Sequence, residues 1–238
     1  MTTKTAEPPT MDLWEHLAEA RKRLIWALLF LVIASGASMF FLANVAIEFL
    51  AQPAGGLDRF VTIEVTESVS TYMRVALLTG FIIALPLMVW QIYLFIGPGL
   101  EKKEKRWLFA AIPVATILFL LGAAFAYYVM LETALPFLDQ FLAVESNWRI
   151  SNYINFVTSL IFWIGLAFET PLVVFMLAKL GFVRPAALAR HWRIAVVVIA
   201  IAAAVITPTP DPLTMAFTMA PLIAIYMLSI LFAALAAR

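Results

Sequence analysis

Two glutamates in this 238-residue chain stand among basic residues. Glu19 precedes Arg21-Lys22-Arg23, and Glu104 lies within Glu101-Lys-Lys-Glu104-Lys-Arg106. A carboxylate framed by cations suits a guanidinium ligand, because the two groups form charge-assisted, often bidentate hydrogen bonds. If both lie on one membrane face, they predict a site for a cationic peptide. A simpler interpretation is also open: Glu19 pairs with Arg23 at i+4, and the second cluster only orients the chain in the membrane.

Glu169 is the only acidic residue inside any of the long apolar runs of the sequence. An ionised carboxylate is costly in hydrocarbon, so it must face the bundle interior, a wet cavity or a partner, or else be protonated. Pro171, two residues later, removes a backbone donor and is expected to kink the helix. Two interpretations stay open: a hydrogen bond from Glu169 to a neighbouring span, and a functional contact with another helix.

Enzyme signatures are absent from the sequence. There is no cysteine and no G-x-S-x-G, H-E-x-x-H or P-loop motif. His16 and His191 are the only histidines, and both fall outside the apolar runs. The sequence therefore predicts a protein without catalytic residues, metal or cofactor.

The composition indicates a membrane protein. Hydrophobic residues make up 64% of the chain and charged residues 13%, whereas about a quarter of a soluble domain is charged. A chain that crosses hydrocarbon must satisfy its backbone as helices or as a closed barrel, and the runs lack the alternation of barrel strands. An all-α membrane fold is predicted.

Six apolar runs predict six transmembrane helices, at about 24–43, 75–96, 107–131, 154–178, 194–206 and 213–237. Residues 1–23 are expected to form an amphipathic cytoplasmic segment on the membrane surface, and 24–238 a single transmembrane domain. The fifth run reaches only about 20 Å. It could be a re-entrant segment, a buried helix or a span in thinned bilayer.

Charge placement favours six crossings with both termini in the cytoplasm. That arrangement puts 13 of the 16 basic residues inside and leaves only Arg59, Arg74 and Arg149 outside. The outer segments 44–74 and 132–153 are long, and Phe60–Thr66 is β-prone. A small periplasmic cap is expected there.

Four motifs follow one another from about Met11 to the end of the chain. They are His16-Leu-x-Glu19-x-Arg21-x-Arg23-Leu24, Pro86-x-x-x-x-Gln91-x-x-x-Phe95-Ile-x-Pro98-x-Leu100-x-x-x-Glu104, Phe168-Glu169-x-Pro171 and Thr207-Pro-x-Pro-Asp211. Together with the six-span pattern, they resemble the TatC family, the large subunit of the bacterial twin-arginine protein translocase. The resemblance implies a receptor and scaffold of the inner membrane that exports folded proteins at the expense of the proton gradient.

The resemblance also implies residue roles. Glu19 and Glu104 match cytoplasmic glutamates that recognise the paired arginines of a signal peptide, with Arg21 and Phe95 in the surroundings of that site. Glu169 matches an intramembrane polar site that engages TatA-type or TatB-type single-span subunits. Structural or partner roles are implied for Pro53, Pro86, Tyr127, Pro171 and Asp211.

Further partners implied are membrane lipid and other copies of the chain, with no nucleic acid. The sequence departs from the family pattern in two places. The 207–211 hairpin is one residue longer than the compact form, and Met215 stands where many relatives have glutamine. The second difference weakens any inference of a polar contact on the sixth span.

Glu169 is also compatible with a function in transport. A secondary transporter or proton-coupled channel would use Glu169 as a relay. Such proteins usually contain internal repeats and several intramembrane polar groups, and neither is evident in the sequence. An intramembrane enzyme is left with almost no candidate residues.

Overall fold

The chain folds as a bundle of helices capped at one end. The computed structural model describes residues 13–97, 102–139, 148–207 and 212–236, with only the backbone at Leu13, 102–104, 137–139 and Leu213. The α-helices in these residues are α1 (Leu13–Phe41), α2 (Ala43–Ala51), α3 (Glu67–Ile96), α4 (Lys102–Phe125), α5 (Glu132–Asp139), α6 (Ile150–Phe168), α7 (Thr170–Lys179), α8 (Pro185–Arg190), α9 (Trp192–Ile206) and α10 (Pro212–Ala236). Two short strands are β1 (Phe60–Val61) and β2 (Trp148–Arg149). A π-helical turn, Ala126–Leu131, follows α4.

The predicted all-α membrane fold is confirmed. Among the described residues, five helical stretches are long and apolar enough to cross a membrane: Trp14–Phe41, Glu67–Ile96, Lys105–Pro136, Ile150–Lys179 and Thr214–Ala236. The fifth predicted run forms α9, which has 15 residues. It is about 22 Å long, short of the ~30 Å hydrocarbon core. That α9 crosses the membrane stays a prediction.

Helix α1 runs without a break from the N-terminal segment into the first span. We expected a surface helix that turns into the membrane near Leu24, and no such turn is present. Residues 13–35 contain no glycine or proline, and Glu19 pairs with Arg23 one turn later, so the helix continues past Leu24.

Close helix contacts depend on small residues. Gly80 of α3 lies against Ser35 of α1, where an added Cβ would overlap the Ser35 backbone. Gly122 of α4 faces Gly165 of α6, and a Cβ at Gly122 would lie 2.8 Å from the Gly165 Cα. Small residues at such crossings let helices pack without a hydrophobic driving force in lipid.

The cap joins two segments that are distant in the chain. Strand β1 pairs in parallel with β2, Phe60 opposite Trp148 and Val61 opposite Arg149. The β-prone stretch thus forms only two residues of strand, and the sequence did not indicate its partner.

A buried carboxylate holds the cap to the bundle. Glu67, 3% exposed, accepts hydrogen bonds from the backbone N–H groups of Ile63 (3.0 Å) and Ser151 (3.0 Å). Arg149 Nε donates to Glu67 at 3.1 Å, and Arg149 Nη2 donates to Glu64 at 2.7 Å. The Glu64 and Glu67 carboxylates raise the pKa of Arg149 above its ordinary value. One charged cluster therefore links both cap segments to the first turns of α3 and α6.

We expect Arg149→Gln to loosen this cap, because it leaves the buried Glu67 carboxylate without its cationic partner. Protease cleavage within residues 57–66 should become faster and the midpoint of thermal unfolding should fall. Arg59→Gln removes an exposed cap arginine and is the matched control. Equal midpoints and cleavage rates for the two variants would contradict the assigned role of Arg149.

Candidate functional site

Glu19 lies on α1 and forms an ion pair within its own helix. Arg23 donates to Glu19 Oε1 from Nη2 at 2.6 Å and from Nε at 2.7 Å. The Glu19 side chain is 26% exposed, so it is accessible to a ligand. The i+4 pair weighed as the simpler interpretation is thus present. Such a pair contributes only a few tenths of a kcal/mol, so a competing cation can replace Arg23 at small cost.

An aromatic contact sets α1 against the end of α3. The rings of His16 and Phe95 stack with centroids 4.6 Å apart. His16 precedes Glu19 by three residues, so the two share one face of α1. Glu19 is therefore held on the α1 face that packs near Phe95, whereas Arg21 is exposed.

The side chain of Glu104 lies outside the described residues, but the helix that carries it is placed. Tyr93 of α3 meets Phe109 of α4 with centroids 6.2 Å apart, and Trp90 meets Phe109 at 5.9 Å. The end of α3 therefore packs on the early turns of α4. Glu104 belongs to the first turn of α4, so its backbone is at the same end of the bundle as Glu19.

Glu169 interrupts the fourth span. It is the residue between α6 and α7, and its N–H donates to the Leu166 carbonyl at 3.1 Å, an i−3 contact. Pro171 has no N–H to continue the α-helical pattern, which accounts for the break. The carboxyl group lies against the backbone of Phe119 on α4. Its Oε1 is buried and has no hydrogen-bond partner among the described residues. The interpretation that Glu169 only forms a hydrogen bond to a neighbouring span therefore accounts for part of its carboxyl group at most.

An apolar groove lies beside this break. It has a volume of about 490 Å³ and runs between α4, the α6–α7 junction and α10. Its walls include Val114, Phe168, Pro171, Phe175 and Pro221. Its lining is aliphatic and aromatic, and so suits an apolar helix better than ions or water.

The remaining predicted residues have structural environments. Tyr127 is 6% exposed, stacks on Phe49 with centroids 4.4 Å apart and donates its O–H to the Phe49 carbonyl at 2.6 Å. It thereby ties α2 to the third span. Pro53 is the middle residue of the 3₁₀ turn Gln52–Ala54 after α2, and Pro86 lies half-buried within α3. Asp211 lies outside the described residues.

Comparison with known proteins agrees with this arrangement. The family model of the Sec-independent protein translocase protein TatC matches residues 15–221. The chain is 35% identical to the TatC protein of Carboxydothermus hydrogenoformans, covering 95% of this chain and 94% of that protein. It is 36% identical to that of Aquifex aeolicus, covering 96% and 97%. The chain belongs to the TatC family. A crystal structure of the twin-arginine translocase receptor TatC superposes with a TM-score of 0.84 at 35% identity, covering 94% of this chain and all of that one.

Membership of the TatC family settles the class of protein. The chain is a multi-pass membrane protein and a subunit of the twin-arginine protein translocase, and it is not an enzyme. The predicted family and non-catalytic function are confirmed. The roles assigned to individual residues stay predictions.

Two polar residues of this TatC chain were not singled out as site residues. Gln91, one turn before Phe95 on α3, is 7% exposed, and its Oε1 has no hydrogen-bond partner in the described part of the chain. Glu67 holds the cap, as described above. Gln91 could have been found from the sequence, because it is a polar residue inside an apolar run. Glu67 could not, because it adjoins the polar outer segment, where an acidic residue is ordinary.

Proposed function

We propose that this member of the TatC family is the receptor of its translocase for signal peptides with paired arginines. Glu19 and Glu104 bind the two guanidinium groups, and Phe95 and Arg21 border the site. The observation that carries the proposal is the His16–Phe95 stack, which holds Glu19 at the end of the bundle where α3 passes into α4.

Binding would be an exchange of partners. The Glu19 carboxylate is already paired with a guanidinium, that of Arg23, in a two-bond contact. An arginine of a peptide can take over the same geometry, while Arg23 turns to water. Because the half-buried internal pair is weak, breaking it costs little, and the peptide gains the contacts at both Glu19 and Glu104.

The same chain would also assemble the translocation site. Glu169 has a buried carboxylate oxygen without a partner in the described residues, and it lies at the helix break between Phe168 and Pro171, two residues that line an apolar groove. A single-span helix of the TatA or TatB type could pack its apolar side chains in the groove and form a hydrogen bond to Glu169 with one polar residue. The groove has no polar path along its walls, which disfavours the alternative of a transporter with Glu169 as relay.

Topology and energy complete the proposal. The basic residues favour a six-span arrangement in the bacterial inner membrane with both termini in the cytoplasm, which puts Glu19 where a precursor protein arrives. Export of folded proteins would draw on the proton gradient, and other copies of the chain would join the complex.

Peptide binding tests the receptor role. We expect Glu19→Gln to weaken binding of an Arg-Arg signal peptide about tenfold, the effect of losing one charge-assisted hydrogen-bonded contact. A Lys-Lys peptide should bind more weakly to the wild-type chain, because an ammonium cannot form the bidentate contact. Fluorescence anisotropy of a labelled peptide with the purified chain measures both.

The neighbouring residues supply the controls. Glu15→Gln removes an exposed carboxylate one turn earlier and should leave the affinity unchanged. Arg23→Gln should change it less than about threefold, given the small energy of the internal pair. Equal affinity of the Glu19→Gln and Glu15→Gln variants would exclude Glu19 from the site.

A further inference from the structure

A groove between α1, α3 and α6 has a cation at one end and apolar walls along the rest. Its volume is about 380 Å³. Arg74 and Ser159 lie at one end, and the walls continue along Leu77, Phe81 and Trp163. Unlike the groove beside Glu169, this one has a polar and an apolar end.

The polar end faces the cap. Helices α3 and α6 both run away from the cap, and the hydrogen bond from Ser151 N–H to Glu67 (3.0 Å) aligns their first turns. Seven residues later on each helix come Arg74 and Thr158 at one level. Two turns deeper on α3, Phe81 meets Phe162 with centroids 5.1 Å apart. The groove therefore changes from polar to apolar in the direction of the bilayer centre.

The length of α3 indicates how deep Arg74 would lie in a membrane. Helix α3 has 30 residues and is about 45 Å long, against a hydrocarbon core of ~30 Å. Arg74 is seven residues, or about 10 Å, along it, so its guanidinium can reach the boundary between hydrocarbon and headgroups. It is exposed, and none of the acidic side chains that the structure describes pairs with it.

We propose that this groove binds one anionic phospholipid from the leaflet on the cap side. Its phosphate would sit on Arg74, because guanidinium and phosphate form bidentate, charge-assisted bonds. The Ser159 hydroxyl, beside Asn155 Oδ1 at 3.5 Å, adds polar contacts. One acyl chain would follow Leu77, Phe81 and Trp163 toward the bilayer centre.

The charge favours a lipid over a protein helix as the occupant. A protein helix lying along the whole groove would cover Arg74, and it would need an acidic side chain at the level of Arg74 to pair with it. Every anionic phospholipid already carries a negative phosphate at the level of the headgroups. The walls are also open to the bilayer, since Leu77 is 54% and Trp163 40% exposed. Leu31 of α1 closes the third side, so the lipid would fill the seam between α1 and the α3–α6 pair.

Quenching of Trp163 by lipids with brominated acyl chains tests the proposal on the full chain in detergent. The chain has seven tryptophans, so the fluorescence of Trp163 is obtained by subtracting the signal of the Trp163→Phe variant from that of the wild type. We expect brominated phosphatidylglycerol to quench Trp163 at lower concentration than brominated phosphatidylethanolamine. In Arg74→Gln the half-quenching concentration of phosphatidylglycerol should rise about fivefold, the effect of one basic residue at an anionic headgroup.

Three further arms make the test decisive. Arg59→Gln, an exposed cap arginine away from the groove, should keep the wild-type preference, and Arg74→Lys should retain most of it. If Arg74→Gln does not fold, Ser159→Leu, which keeps the charge and fills the polar end, should raise the half-quenching concentration instead. Equal quenching by both lipids in the wild type, or an equal loss in Arg59→Gln, overturns the proposal. Displacement of the lipid by soluble glycerol phosphate also overturns it, because the site would then bind free phosphate.

Discussion

Replacing Glu19 and Glu104 together by alanine is expected to abolish export of a folded reporter with an Arg-Arg signal peptide, while the chain remains inserted in the membrane. Each carboxylate supplies one guanidinium contact, worth about 1.5–3 kcal/mol for a hydrogen bond to a charged group. Loss of both should weaken capture by roughly a hundredfold or more. Reporter activity outside the cytoplasm and the membrane level of the chain are the two measurements.

The control for this double variant must remove the same charge elsewhere. Glu15→Ala combined with Glu132→Ala takes away two exposed carboxylates, one beside the site and one in the cap segment. Export should then be close to that of the wild type. Undiminished export from the Glu19 and Glu104 variant would exclude the receptor role, whatever its peptide affinity.

A distance measurement supports the same prediction independently. Because the chain contains no cysteine, Glu19→Cys and Glu104→Cys introduce a unique pair for spin labels. One short peptide must touch both positions, so the label distance in the peptide-free chain should be short. Two labels on opposite sides of the bilayer would exclude a shared site.

Hydropathy located the five long apolar helices but did not predict their lengths. The second run was expected from Val75, whereas α3 begins at Glu67. Apolar content reports the part of a helix inside hydrocarbon, and a helix can continue through the headgroup region, where polar residues are stable. For the same reason the amphipathic N-terminal segment merged with the first span instead of forming a helix of its own.

Long-range polar contacts were beyond sequence reasoning. Tyr127 donates to Phe49 across 78 positions, and Arg149 reaches Glu67 across 82. A tyrosine or arginine at a span end is common for interfacial reasons alone, so its partner cannot be read from composition. By contrast, Glu19 and Glu169 stand out in the sequence as candidate site residues because each breaks a local rule: Glu19 is an acid among bases, and Glu169 is an acid in an apolar run.

Glu169→Leu is expected to act in opposite directions on the isolated chain and on the complex. In the isolated chain it removes a buried carboxylate oxygen without a partner in the described residues, so the thermal midpoint in detergent should rise. In the membrane it removes the proposed hydrogen bond to a single-span partner helix. Such bonds contribute roughly 1–2 kcal/mol between helices in lipid, so crosslinking to that partner should weaken about five- to thirtyfold.

Glu169→Gln separates this role from proton relay. The amide keeps a hydrogen-bonding group at the break between α6 and α7 but carries no titratable proton. If Glu169 is a contact residue, the glutamine variant should retain most of the crosslinking and export that leucine loses. Thr170→Val, at an exposed neighbouring position, should match the wild type in both assays. A glutamine variant with normal crosslinking but no export would instead favour the relay, since only the proton would have been lost.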